Sequence, residues 1–126
     1  MLIKCQISLG ELVDKISILR IKKKFIKDKE LLEHVEFEDK VLTEQLTQLQ
    51  LTNINDYLLK LIEINTRLWQ IEDEIREKEK KQDFHAEFIS LARSVYKTND
   101  ERFRIKNSIN QLFGSLVKEV KSYKEY

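Results

Sequence analysis

Between positions 57 and 75 the residues Tyr57, Leu61, Ile64, Leu68, Ile71 and Ile75 recur at alternating steps of four and three. That is the stripe an α-helix presents to one neighbour, and a strand with its period of two would scatter it over both faces. Nothing in the chain opposes a helical reading. There is no proline in 126 residues and there are only two glycines, so few points exist at which a long helix must stop.

The same period recurs elsewhere. Leu32, Val35, Asp39, Leu42, Leu46 and Leu49 form a coiled-coil-like seam on a second helix that starts after Asp28 and ends near Leu51. A first helix, about residues 9–27, opens on Ser8-Leu9-Gly10-Glu11, which fits a capping box. It is apolar on two sides, with Leu12, Val13, Ile16 and Leu19 on one and Ile18, Ile21 and Phe25 on the other, so it needs two neighbours. The third helix covers about residues 54–81, with Asn53 or Asn55 able to cap it. A fourth covers about 84–113 and stops at Gly114. Thr98-Asn99-Asp100-Glu101 reads as an internal capping box, so a restart near Thr98 is an expectation. Residues 2–7 alternate like a short strand, with Cys5 as one of its apolar members. The segment after Gly114 could pair with it. The expected fold is all-α: one domain, residues 1–126, an antiparallel bundle of three to four long helices with a minor two-stranded contact between the two ends.

Composition removes several classes of function. Lys and Arg total 23 against 22 for Asp and Glu, so no general basic surface draws nucleic acid. The basic run Arg20–Lys29 reads as a solvated helix end, and no nucleic-acid partner is expected. No stretch of 18 apolar residues exists and the apolar start is too short for a signal peptide, so no membrane insertion and a cytoplasmic location are expected. The single cysteine, Cys5, can make no internal disulfide and has no zinc spacing around it. His34 and His85 lie on charged segments without a Cys, His or Ser beside them. No metal site and no cofactor are expected.

The informative feature is polar residues at positions where the period predicts burial or half-burial. The fourth helix carries Asn99, Arg102 and Lys106 in line with Phe88, Ala92, Val95, Ile109 and Phe113, with Asn110 beside them. The third carries Asn65, Glu72 and Arg76 between its stripe and Trp69, and the second carries Asp39. Unpaired charge in a bundle interior costs several kcal/mol, so these groups pair, reach water or hold a ligand. Mutual pairing is one reading: Glu72 with Arg76 at i, i+4, and Asp39 with Arg102 or Lys106 across the bundle. An anion site is the other, with two cations and two asparagines on one helix, helped by free N–H groups if the helix restarts at Thr98. Acidic pairs such as Glu74/Glu77, Glu11/Asp14 and Glu36/Asp39 are the geometry of a helical Mg²⁺ site, as in all-α nucleotide pyrophosphohydrolases. No second pair follows Glu77 at the distance those enzymes use.

Four blocks of the chain carry a resemblance: ISLGELVDKISILRIK, LWQIEDEIREKE, FISLARSVYKTNDERFRIKNSIN and GSLVKEVKSYKEY. They resemble a family of short, all-helical bacterial proteins of unknown function, with the match weakest from Lys27 to Leu58. The resemblance implies a context of surface-polysaccharide genes, sometimes with glycosyltransferase or helical-repeat modules, and supplies no established catalytic residues to carry over. It places interest on Asn65, Trp69, Glu72, Arg76, Tyr96, Asn99, Asp100, Arg102 and Lys106. The expected function is a non-enzymatic binding or assembly module in surface-glycan synthesis, with a homodimer or another protein as partner. The alternative is binding or processing of an anionic small molecule, a phosphorylated sugar or nucleotide, in an interhelical pocket.

Overall fold

The computed structural model describes all residues, Met1–Tyr126. Four helices follow in order: α1, Leu9–Phe25; α2, Lys29–Gln48; α3, Ile54–Lys80; and α4, Ala86–Leu112. Ser8 Oγ caps α1 by accepting from the Glu11 amide at 3.1 Å, and Asp28 Oδ1 caps α2 by accepting from the Leu31 amide at 2.9 Å. Asn53 stands at the start of α3 in the left-handed region, φ 67°, and makes no side-chain cap. Gly114, φ 68°, follows α4 in the conformation that ends helices and that a side chain would strain.

The two-sided α1 is the axis of the bundle: it packs against α2, α3 and α4, and α3 packs against α4. Its Val13 and Ile16 are fully enclosed, with Leu61 of α3 and Ile109 of α4, and Leu46 and Leu58 join the same core. Both apolar sides of α1 are therefore covered largely from within the chain. Phe25, at its end, stacks on Trp69 with ring centroids 5.6 Å apart. Because α3 and α4 hold 27 residues each and α1 only 17, the far ends of α3 and α4 have no third helix over them.

Three expectations change. The structure contains no strand, so the two-stranded contact between the ends is absent. The two segments do meet, across a shallow groove lined by Cys5, Ile7, Ser115 and Val117, but Leu9 N–H bonds the Ser115 hydroxyl rather than a backbone carbonyl. Beyond Val117 the chain turns to α4, where its charged side chains find partners, and its backbone is not offered to residues 2–7. Second, α4 runs unbroken through Thr98, which is buried mid-helix. The amides of Asn99–Arg102 are inside the helix and offer nothing to an anion. Third, Asp39 meets neither Arg102 nor Lys106, because α2 lies beside α1. Arg20 Nε donates to Asp39 Oδ2 at 3.0 Å, Lys23 pairs with the same oxygen, and Thr43 Oγ1 donates to Oδ1 at 2.7 Å. The basic run therefore contributes two of its cations to an internal carboxylate.

Candidate functional site

Three helices converge on one carboxylate. Asp14 lies in the first half of α1 and is fully buried. Its Oδ1 accepts from Asn65 Nδ2 of α3 at 2.8 Å and from Arg102 Nε of α4 at 3.0 Å. Its Oδ2 accepts from Arg102 Nη2, and Lys106 Nζ stands 3.9 Å away. One turn along α1, Ser17 Oγ donates back to the Asp14 carbonyl at 2.6 Å and accepts from Asn65 Nδ2 at 2.7 Å. A buried carboxylate with this many donors is held in one position and fixes its donors in turn.

The arginine is the group this arrangement presents. Its Nε and Nη2 edge is bidentate on Asp14, and Nη1 makes a long 3.4 Å bond to Asn99 Oδ1. A guanidinium has five N–H donors, so one on each Nη is left without a protein acceptor. The side chain is 27% exposed, and that exposed part lies between two clefts. The first, about 450 Å³, is bounded by Ile18, Asn65, Trp69, Glu72, Arg76 and Asn99. The second, about 490 Å³, is bounded by Tyr96, Asn99, Asp100, Phe103, Lys106 and residues of the segment after α4. Arg102 and Asn99 belong to both.

Lys106 is more enclosed, with a side chain only 6% exposed. Nζ donates to Glu11 Oε2 at 2.7 Å and lies 3.0 Å from Glu119 Oε1, an ion pair without hydrogen-bond alignment. Burial pulls the ammonium pKa down, but the hydrogen bond it donates to Glu11, the close carboxylate of Glu119 and the charge of Asp14 outweigh it and leave it above the ordinary lysine value. Arg102 is likewise held further above its usual value, first by its bond to Asp14, against burial. Glu11, expected to reach back to its own cap, points to Lys106 instead.

The nine residues singled out in the sequence thus fall into two groups around one arginine. Asn65, Trp69, Glu72 and Arg76 line one cleft, Tyr96, Asp100 and Lys106 the other, and Asn99 and Arg102 join them. Glu72 and Arg76 stand at the outer rim: they pair at 3.8 Å as i, i+4 neighbours, and the Arg76 side chain is 79% exposed. Sequence reading missed Asp14 as the centre, Glu11 and Ser17 beside it, and Glu119 and Lys121 beyond α4. Asp14 carried a signal, being a carboxylate inside a helix apolar on two sides. Glu119 and Lys121 carried none, since their segment has no periodicity.

No three His, Cys, Asp or Glu side chains converge as metal ligands. Glu11 and Asp14, one of the acidic pairs considered for Mg²⁺, are taken by Lys106 and Arg102. His34 and His85 are exposed.

A family model described as a family of unknown function (DUF6165) matches residues 3–126. The chain belongs to this DUF6165 family. The match spans the Asp14 network, both clefts and the segment after α4. Neither the curated proteins nor the solved structures include a match to this member of DUF6165. No helix is long and apolar enough to cross a membrane.

Proposed function

We propose that this DUF6165 protein is a non-enzymatic binding module that takes an anionic ligand against the Arg102 guanidinium. The observation that carries this is the pair of unengaged Nη N–H donors on a guanidinium locked by a buried carboxylate at the junction of two clefts. A fork fixed in advance loses little rotamer freedom on binding and suits planar, two-point contact with carboxylate or phosphate. Trp69 on one side, with its polar neighbours, supplies the apolar face and hydrogen-bonding groups that a sugar or nucleoside moiety needs. The resemblance to proteins of surface-polysaccharide neighbourhoods suggests phosphorylated sugars and sugar nucleotides as the class to try first.

The test is a thermal-shift screen of these compounds with and without Mg²⁺, followed by titration of the wild type and Arg102→Lys. Arg102→Lys keeps the charge but loses the fork, so affinity should fall at least tenfold. A ligand held equally well by both proteins rules the reading out. A second reading, assembly as a homodimer, draws on Leu31, Phe37 and Leu49 of α2 and the segment following it, each more than half exposed. Light scattering that finds a monomer at every accessible concentration removes it.

A further inference from the structure

The second cleft contains a carboxylate of the chain's own, and it arrives from a segment with no backbone-to-backbone anchorage beyond Ser115. After Gly114 the chain doubles back along α4. Ser115 N–H bonds the Asn110 carbonyl at 2.8 Å, and no backbone-to-backbone hydrogen bond follows in residues 116–126. Side chains hold the rest. Glu119 pairs with Lys106 at 3.0 Å, Lys121 pairs with Asp100 at 3.8 Å and lies over the Phe103 ring, and Tyr126 packs edge-on against Tyr96. The order 119, 121, 126 against 106, 100, 96 describes a strap running antiparallel to α4 across the mouth of the cleft.

Charge makes the contact at Lys106 unusual. Three carboxylates, Asp14, Glu11 and Glu119, surround two cations, the enclosed Lys106 and the partly exposed Arg102. Glu11 has Lys15 at 3.7 Å as a further partner, and Asp14 is held by Asn65 as well. Glu119 has neither. Its Oε1 is buried against Lys106 without a hydrogen bond of proper angle. It is also the only one of the three that does not stand on a helix. A singly charged anion can replace it with no change in local charge, and any anion can do so with no helix disturbed, whereas replacing Glu11 or Asp14 would disturb α1.

We propose that residues 116–126 form a displaceable strap in which Glu119 occupies an anion subsite at Lys106, and that a phosphate- or carboxylate-bearing ligand enters the cleft by displacing it. The proposal rests on the reading of Arg102 as a ligand-binding group and adds the subsite beside it and the device that covers it. A strap of this kind competes intramolecularly, so the apparent affinity is the intrinsic one reduced by the fraction of time the subsite is open. A strap closed about nine-tenths of the time weakens binding about tenfold.

The experiment uses the full chain and inorganic phosphate as probe. Phosphate is titrated into wild type, Glu119→Gln and Arg102→Lys by calorimetry, and backbone ¹⁵N order parameters are measured for residues 116–126. Glu119→Gln should bind phosphate about tenfold tighter than wild type. Saturating phosphate should lower the order parameters of the strap in the wild type to the level of a mobile segment. Equal affinities for wild type and Glu119→Gln, with a strap that stays ordered at saturation, overturn the strap. If Arg102→Lys still loses phosphate in that case, the Arg102 binding reading survives alone. Phosphate binding by neither wild type nor Glu119→Gln overturns both.

Discussion

Removing Arg102 should cost the fold more than neutralising Asp14, although the two form one ion pair. The asymmetry follows from where each group is left. Asp14 is fully buried, whereas Arg102 keeps 27% of its side chain in solvent. In Arg102→Met, Asp14 Oδ1 retains Asn65 at 2.8 Å, but Oδ2 keeps only Lys106 at 3.9 Å, an attraction without a hydrogen bond. A buried charge stripped of its partner costs about 3–5 kcal/mol. The nearby ammonium places this case near the lower end, about 3 kcal/mol. In Asp14→Asn the arginine can turn its fork to water, so the loss is closer to that of a charged hydrogen bond, about 1.5 kcal/mol. The double variant removes both problems and should be more stable than the sum of the single losses predicts, by at least about 1 kcal/mol. Urea unfolding followed by far-ultraviolet circular dichroism and by the fluorescence of Trp69, the only tryptophan, measures all four proteins on one scale. Arg102→Met should lower Tm by roughly 10 °C. If Asp14→Asn proves the more costly single change, or if the two losses simply add, Asp14 and Arg102 are not the coupled centre of the bundle.

Three further outcomes follow from other contacts. Gly10→Ala places a Cβ 2.5 Å from the Lys106 carbonyl oxygen, so α1 and α4 must separate; thermal melts should show a loss of about 1–3 kcal/mol. At Asp39 burial raises the carboxyl pKa, but Lys23, Thr43 and Arg20 together outweigh it and hold it below the usual aspartate value. Its contribution to stability is therefore present above about pH 4, the unfolded value, and is lost as pH falls through the lower folded pKa; Asp39→Asn should flatten that acid limb in unfolding measured from pH 5 to 2. Glu72→Ala breaks only a 3.8 Å surface pair with Arg76, and urea unfolding should place it within about 0.5 kcal/mol of wild type.

What could be read from the sequence, and what could not, divides along one physical line. Periodicity reports the face a residue occupies on its own helix, and this is why the ranges of α3 and α4, the end of α4 at Gly114 and the need of α1 for two neighbours were legible. Periodicity also found Asn99, Arg102 and Lys106 as polar members of the α4 stripe and Asn65 beside that of α3, but it grouped Glu72 and Arg76 with Asn65 although both lie at the exposed rim. It does not say which face of another helix lies opposite. Asp39 was a correct anomaly assigned to the wrong partners, because Arg20 and Lys23 lay in a run that looked like a solvated helix end. Thr98-Asn99-Asp100-Glu101 has the residues of a capping box, yet α3 packs along α4 through this point, and tertiary packing outweighs a local signal that stabilises by about 1 kcal/mol. Ser8-Leu9-Gly10-Glu11 shows the same competition within one motif. The serine caps its helix, while the glutamate leaves for Lys106, because a buried ammonium is a stronger partner than a neutral backbone amide. The strap lies at the far end of this scale. Glu119 and Lys121 have no helical period to declare a face, and their positions follow from the charges that α1 and α4 have already brought together and, for Lys121, from the Phe103 ring beneath it.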